Sequence, residues 1–402
     1  MLKPNFLSKR GPLFPQKVYV TRPTLPTIEE ISPMLSEMLE KKWVTNFGDF
    51  HNELEAKLRD VFRVKHVLLF CNGTIALFLL IKAMKLTGSV ITTPFTFPAT
   101  IHSVYMAGLN PLFCDVNPET YTLDPIQVEK SISNSVSAIL GVNVFGNACD
   151  IDALERIGRK WNIPVIFDSA HAFATFYKAK PIGGFGNAEM FSFHATKLFT
   201  TLEGGAITTN DDGLYKRLRL LINFGIQDEE NIISTGLNGK MTEMNAIFGL
   251  LCLKNIDSIL KRLVTLSKTY WQILSTIPGL KFQKAQTGCS SNNQYMTIEI
   301  MENQFGMDRN TLHRVLKEDN LITRKYFYPA GHEYACYRDC DFVRGLSLPN
   351  ANLLTKRILC LPMYSSLSEA DIVKICGLIE SCHKHSGEIK DKLRMAKAHK
   401  GR

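Results

Sequence analysis

Three short apolar runs lie close together in residues 163–210, IPVIFDSAHAFATFYKAKPIGGFGNAEMFSFHATKLFTTLEGGAITTN. They are IPVIFDSA (163–170), MFSFHAT (190–196) and GAITTN (205–210). Runs of this length, rich in β-branched and aromatic residues, are typical of strands that are covered on both faces of a sheet. The stretch therefore predicts three strands of one buried sheet.

Four similar runs precede this stretch, and segments with helical spacing separate them. The runs are HVLLF (66–70), residues 90–93, PLFCDV (111–116) and AILGVNVFG (138–146). Alternating strands and helices favour a parallel sheet with helices on both of its faces. We predict an α/β fold with one large domain built on a mainly parallel seven-stranded sheet.

The pattern changes after residue 212. A helix is predicted over 212–224, and the amphipathic segment 241–277 is too long for one ordinary helix, so we expect it to bend between Cys252 and Ile259. It leads into a smaller α/β domain. The elements predicted there are a strand at YMTIEI (295–300), a helix at LHRVLKEDN (312–320), a strand at LITRKYFYP (321–329) and a last helix over 369–383. The domain organisation predicted is an N-terminal segment (1–50), a large domain (51–250), a small domain (251–385) and a basic tail (386–402).

Composition and charge exclude several classes of protein. The chain has 402 residues, of which 45% are hydrophobic and 21% are charged, and this is enough apolar material for a sizeable core. No run is long and apolar enough for a membrane span, and no secretory signal precedes the first strand, so a cytoplasmic protein is expected. The net charge of +9 is concentrated after residue 383, where the chain has seven Lys or Arg residues and only two acidic residues. We interpret that tail as a solvated, frayed segment, with an anionic surface as its alternative partner and no nucleic acid as a partner.

The motif search is negative for several cofactors. Ten cysteines occur without a C-x-x-C pair, and Cys336, Cys340 and His332 lack a second ligand pair with finger spacing, so no metal site is predicted. Neither a dinucleotide-binding G-x-G-x-x-G after a strand nor a P-loop motif is present, which argues against a Rossmann dinucleotide-binding fold and against a P-loop protein.

Two residues near the carboxyl ends of predicted strands carry possible chemistry. Asp168 ends IPVIFDSA, where an acid is either a helix cap or a ligand contact. Lys197 is flanked by aromatic and leucine residues in FSFHATKLF. Its amine either reaches water or is held inside, and an inside lysine loses charge and becomes a nucleophile for carbonyl groups.

A third feature is Asn72-Gly73-Thr74, which opens a helix directly after a strand. It is either an ordinary capped turn or a site for phosphate, which the N–H groups of a helix start bind well. Ser192 is placed to offer a hydroxyl to the same anion. The order of a phosphate-binding helix start, an aromatic turn, a strand-end Asp and a lysine fits pyridoxal 5'-phosphate (PLP).

The motifs NGTIAL, PFTFPAT, FDSAHAFA, FSFHATKLFTTLEGGAITTND and NGKMTEMNAIFGL occur in this order. In this combination the chain resembles the sugar-nucleotide aminotransferases of the DegT/DnrJ/StrS family, from about Phe50 to Tyr364. The resemblance implies the fold-type I aminotransferase architecture and a PLP-dependent transferase.

The resemblance also implies site residues. Lys197 would carry the cofactor covalently and Asp168 would hold the pyridine nitrogen. The other cofactor-binding residues implied are Gly73, Thr74, Phe97, His171 and Ser192, with Asn238 reaching the phosphate of the neighbouring subunit in a homodimer with shared active sites.

The substrate is expected from the same resemblance. Relatives use nucleotide-linked keto-6-deoxyhexoses and L-glutamate, and RKYFYPAGHEYACYR (324–338) is similar to those that act on dTDP-sugars. We expect Arg324, Lys325, Tyr326 and Tyr328 to bind the substrate. Amination at C-4 of dTDP-4-keto-6-deoxyglucose would give dTDP-4-amino-4,6-dideoxyglucose for O-antigen biosynthesis. Amination at C-3 of a dTDP-3-keto-6-deoxyhexose is one alternative, and a non-catalytic PLP-binding regulator is another.

Overall fold

The computed structural model describes residues 3–8 and 10–400, with side chains up to residue 395. Its strands are β1 (His66–Phe70), β2 (Ser89–Thr92), β3 (Asn110–Phe113), β4 (Val136–Val142), β5 (Val165–Asp168), β6 (Phe176–Tyr177), β7 (Lys180–Pro181), β8 (Ala188–Ser192), β9 (Gly205–Thr209), β10 (Leu280–Lys281), β11 (Cys289–Ser290), β12 (Met296–Ile300) and β13 (Ile358–Leu361).

The helices alternate with the first strands and dominate the second half of the chain. They are α1 (Asn5–Ser8), α2 (Ile28–Lys41), α3 (Asp49–Phe62), α4 (Gly73–Ala83), α5 (Pro98–Met106), α6 (Pro125–Ser131), α7 (Ile151–Trp161), α8 (Asp212–Leu221), α9 (Glu243–Lys254), α10 (Ile256–Leu274), α11 (Glu302–Phe305), α12 (Arg309–Glu318), α13 (Pro349–Arg357), α14 (Glu369–Lys384) and α15 (Ser386–Lys400). None of the described helices is long and apolar enough to cross a membrane.

A seven-stranded sheet organises the first half of the chain, in the order β1–β9–β8–β5–β4–β2–β3. The pairs β3/β2, β2/β4, β4/β5 and β5/β8 are parallel, whereas β9 runs antiparallel to β8 and to β1. The predicted α/β fold with a mainly parallel seven-stranded sheet is confirmed.

Both faces of this sheet are buried, which explains the continuous apolar runs. Leu69 and Phe167 pack on one face among side chains of α3, α7 and α9. Their neighbours Leu68 and Ile166 pack on the other face among side chains of α4 and α8. Because successive strand residues point to opposite faces, a strand covered on both sides needs apolar residues at every position.

A second core forms after the predicted bend. Helices α9 and α10 are separate, and Asn255 lies between them, so the bend is confirmed. Side chains of α10, α12 and α14 pack with strands of the antiparallel sheet β10–β12–β13. A third small sheet has the order β11–β6–β7. The boundaries at residues 50, 250 and 385 remain predictions.

The predicted strand over 321–329 is wrong. This segment makes only single bridges, Leu321 with Val18 and Arg324 with Cys360, and then turns, with the Tyr328 N–H bonded to the Lys325 carbonyl. Its aromatic residues suit a strand, but Phe327 packs against other rings beside the large sheet.

Three helices before the first strand, α1, α2 and α3, were not predicted, although α2 has a local signal. Thr27 accepts the Glu30 N–H, and the Glu30 carboxylate accepts the Thr27 N–H, which is the S/T-x-x-E capping box.

The interpretation of the basic tail as frayed is also wrong for its described part. Helix α15 continues to Lys400, Ile389 is buried, and Leu393 packs on the small-domain core. These two apolar residues are four apart and so share one helix face. Arg402 lies outside the described residues.

Candidate active site

One cavity of about 290 Å³ opens at the carboxyl ends of the parallel strands. It is lined by Asn72, Gly73, Thr74, Thr96, Phe97, Ala99, Val142, Asn143, Asp168, Ala170, His171, Met190, Ser192, His194, Thr196, Lys197, Glu203, Tyr295, Tyr326 and Phe327. Ligands of open α/β sheets bind at this edge, because the loops that follow the strands meet there. Of the twelve cofactor- and substrate-binding residues expected from the resemblance, eight are among the lining residues.

Asp168 ends β5 and is 5% exposed. Its Oδ2 accepts the Thr100 hydroxyl at 2.6 Å, and its Oδ1 accepts the Ala170 N–H at 3.1 Å. Burial raises the pKa of the carboxyl, and the two hydrogen bonds and nearby Lys197 oppose this. Asp168 therefore caps its own turn and also faces the cavity.

Lys197 lies in the turn after β8, where its N–H bonds to the His194 carbonyl at 2.8 Å. Its Nζ lines the cavity within 3.5 Å of the Tyr295 hydroxyl. Burial lowers the pKa of the amine to about 8, and the charge of Asp168 opposes that effect. The side chain is partly buried, and its amine faces the cavity instead of reaching the outer surface.

His171 is buried beside Lys197, and its Nδ1 accepts the Phe145 N–H at 3.1 Å. Burial, followed by the charge of Lys197, holds the pKa of the imidazole well below its usual value. A neutral ring that accepts at Nδ1 carries its proton at Nε2, so His171 can donate one hydrogen bond there.

The start of α4 forms a polar corner of the cavity. Asn72 caps the helix by accepting the Ile75 N–H at 2.8 Å, while Gly73 and Thr74 line the cavity. The backbones are close here, since a Cβ on Gly205 would lie 2.7 Å from the Gly73 nitrogen. Ser192 ends β8 on the same side. A helix start with an adjacent hydroxyl is suited to bind a phosphate.

Four residues proposed from the sequence are not among the lining residues. Asn238 is exposed, and its backbone forms an isolated antiparallel β-bridge with that of Asn223. Lys325 donates to the Asn310 side chain at 3.5 Å, and its amine and the guanidinium of Arg309 both lie over the Tyr328 ring. Arg324 is exposed. Within the same segment, Tyr326 does line the cavity.

Several lining or supporting residues were missed from the sequence. Thr100 bonds Asp168 and lies in PFTFPAT, where the residue spacing does not indicate its partner. Tyr295 lies in a segment predicted only as a strand, and Phe327 lies between Tyr326 and Tyr328, which were expected to bind the substrate, but was not itself named. The two rings enclose His171 with ring centroids at 4.5 and 5.9 Å. No local pattern distinguishes an aromatic residue that lines a cavity from one in a core.

The family model of the DegT/DnrJ/EryC1/StrS aminotransferases matches residues 26–380. The chain belongs to this family. Its members are PLP-dependent transferases, so the chain is an enzyme of that class.

Two curated relatives carry the same name, dTDP-4-amino-4,6-dideoxy-D-glucose transaminase. The protein from Escherichia coli is 36% identical over 363 residues, which are 90% of this chain and 97% of the relative. The protein from Shigella dysenteriae is 39% identical over 357 residues, which are 89% and 96% of the two chains. The crystal structure of DesI in the presence of its TDP-sugar product has a TM-score of 0.92 at 33% identity, and covers 97% of this chain and 99% of that one.

The residues around the cavity of this aminotransferase fit PLP. A partly buried amine is a nucleophile for an aldehyde, a buried carboxylate accepts from a protonated pyridine nitrogen, and a helix start with a hydroxyl donates to a phosphate. Lys197, Asp168 and the Gly73–Thr74 corner with Ser192 would hold these three groups. When bound, the cofactor supplies an electron sink for the carbon that loses its proton.

Proposed function

We propose that this aminotransferase moves the amino group of L-glutamate to C-4 of dTDP-4-keto-6-deoxyglucose and so forms dTDP-4-amino-4,6-dideoxyglucose. The observation that carries the proposal is one cavity that brings together Lys197 and Asp168, in a chain 36% and 39% identical to two transaminases named for this product. An O-antigen precursor is the expected use of such an amino sugar.

Three polar lining residues have a part in the proposed reaction. Lys197 Nζ takes a proton from the donor carbon and returns it to another atom, which a partly buried amine with a pKa of about 8 can do near neutral pH. Asp168, when ionised, would hold the pyridine nitrogen and favour its protonated form. The Nε2–H of neutral His171 would be available to the hydroxyl oxygen on the pyridine ring of the cofactor.

The nucleotide sugar would enter past the segment 324–328. Tyr326 lines the cavity, and the exposed Tyr328 ring lies beside the partly exposed Lys325 and over the guanidinium of buried Arg309. Cations beside an aromatic ring suit a nucleoside diphosphate, since they attract phosphate while the ring offers a stacking surface. Arg324 adds a further exposed cation.

The proposal includes a cytoplasmic homodimer. Asn238 is exposed and absent from the cavity of its own chain, which is consistent with a role in the site of a neighbouring subunit. The glutamate donor belongs to the same proposal.

The test is a product assay. Purified enzyme is incubated with dTDP-4-keto-6-deoxyglucose and L-glutamate, and the position of nitrogen on the sugar ring is determined by NMR. We expect nitrogen at C-4 and one 2-oxoglutarate per amino sugar. No reaction with this sugar, together with C-3 amination of a dTDP-3-keto-6-deoxyhexose, would replace the proposal by its C-3 alternative.

A further inference from the structure

The segment 292–295 joins the small domain to both loops that carry the reactive side chains. It lies directly before β12 of the small-domain sheet. Asn292 is buried, and its Nδ2 donates to the carbonyl oxygens of His171 at 2.8 Å and of Phe173 at 2.9 Å. Gln294 is also buried, and its Nε2 donates to the Thr196 carbonyl at 3.0 Å. The segment therefore fixes the loop after β5 and the turn after β8 relative to each other.

Tyr295 is the last residue of this segment, and its side chain contacts the amine of Lys197. Its hydroxyl lies 3.5 Å from Lys197 Nζ. Among the described residues, Tyr295 is the hydrogen-bond partner of that amine. The Tyr295 ring packs against the His171 ring with centroids 4.5 Å apart. The position of the hydroxyl is thus set by a ring contact and by the two anchors that precede it.

We propose that Tyr295 is a positioning residue for the transamination, whose hydroxyl holds Lys197 Nζ in place both when the amine is neutral and when it is protonated. A phenol can accept a hydrogen bond from an ammonium group, and it can donate one to a neutral amine by turning its O–H. Burial raises the pKa of Tyr295 well above its usual value, so the phenol keeps its proton throughout. The proton that Lys197 takes from one carbon is the one that it returns, and Tyr295 neither gains nor loses a proton.

The proposal predicts a specific signature for Tyr295→Phe, which removes one oxygen and keeps the ring that packs on His171. Hydrogen bonds to charged groups are stronger than those to neutral groups, so the missing hydroxyl costs the protonated amine more. The pKa of Lys197 should therefore fall below that of the wild type. With the amine less well held, kcat should fall by roughly 10- to 100-fold, below the effect of losing a general base, while KM for both substrates stays within about twofold.

The pKa of Lys197 is followed by its rate of acetylation against pH, in full-length enzyme in the pyridoxamine phosphate form and with peptide mass spectrometry as the readout. This measurement does not depend on turnover or on the identity of the sugar. Gln294→Leu should shift the labelling midpoint in the same direction by a smaller amount, because it frees the turn that carries Lys197. Tyr270→Phe is the matched control, since it removes a buried hydroxyl that bonds the Pro362 carbonyl in the small-domain core.

The result that supports the proposal is a lower midpoint and a lower kcat in Tyr295→Phe, with neither change in Tyr270→Phe. An unshifted midpoint in Tyr295→Phe overturns it, whatever happens to kcat. An equal shift in Tyr270→Phe also overturns it, because the effect would then be a general loss of packing. The kcat arm rests on the proposed function, whereas the labelling arm stands even if the sugar substrate is a different one.

Discussion

The two walls of the active-site cavity are built in different ways. The wall from the large domain comes from the ends of regular elements, with Asp168 closing β5, Ser192 closing β8 and Gly73 opening α4. The wall from the small domain comes from irregular segments, in which Tyr295 precedes β12 and Tyr326 lies in a turn. Element ends leave a signal in the sequence, because an apolar run stops there, whereas residues in irregular segments, such as Lys197 and Tyr326, are found only through motifs.

The difference also divides the chemistry. The large-domain wall holds the two groups to which we assign the proton chemistry, and burial shifts the pKa of both Asp168 and Lys197. The small-domain wall supplies the rings and the hydroxyl that we propose position those groups, and Arg324 and Lys325 lie outside the cavity. Changes in the first wall should therefore abolish or shift the chemistry, and changes in the second should alter binding or alignment.

The largest effect is expected for Lys197→Ala, which removes the amine that we propose carries the cofactor and moves the proton. Turnover should fall by at least about 10³-fold, and borohydride should no longer trap a covalent adduct at this position. Lys178→Ala is the control, because Lys178 is an exposed lysine paired with Asp152 away from the cavity. Turnover of Lys197→Ala within tenfold of the wild type would contradict the assignment of the large-domain wall.

An intermediate effect is expected for Thr100→Val, which removes the hydroxyl that bonds Asp168 Oδ2 at 2.6 Å. That bond favours the carboxylate, so its loss raises the pKa of Asp168. The activity that needs ionised Asp168 should therefore begin to fall at a higher pH than in the wild type when the pH is lowered. The free energy of unfolding should decrease by about 1.5–3 kcal/mol. A pH–rate profile and thermal denaturation measure the two effects.

Thr355→Val is the control for Thr100→Val. Thr355 is buried, and its hydroxyl donates to the Asn352 carbonyl at 3.1 Å in α13. This variant should lose stability without moving the acid limb of the pH–rate profile. If both variants shift the limb equally, the contact between Thr100 and Asp168 is not the cause.

The smallest effect is expected for Lys325→Ala in the small-domain region. Lys325 is partly exposed beside Tyr328, and a contact of such a cation with a diphosphate is worth about 1 kcal/mol or less. KM for the nucleotide sugar should rise about threefold to fivefold at low salt and less at high salt, with kcat unchanged. Lys284→Ala, which removes an exposed cation paired with Glu119, should change neither constant. An unchanged KM in Lys325→Ala would separate this residue from the substrate site.

The sequence was sufficient for the large sheet and for the wall that it supports. Apolar runs covered on both faces alternate with helical periods, and this pattern leaves few folds to consider. The residues at the ends of those runs, Asp168, Ser192 and Gly73, then lie at one edge because parallel strands share a direction. Motif order added the cofactor and the family.

Only the folded chain shows which distant groups meet at that edge. Thr100 bonds Asp168 across 68 residues, and Tyr295 reaches Lys197 across 98. Local patterns reflect contacts between near neighbours, so a hydrogen bond between residues this far apart in the chain has no period that a sequence could display. The same reason explains why 321–329 was wrongly predicted as a strand, since its aromatic residues are favourable both in a sheet and in the wall of a cavity.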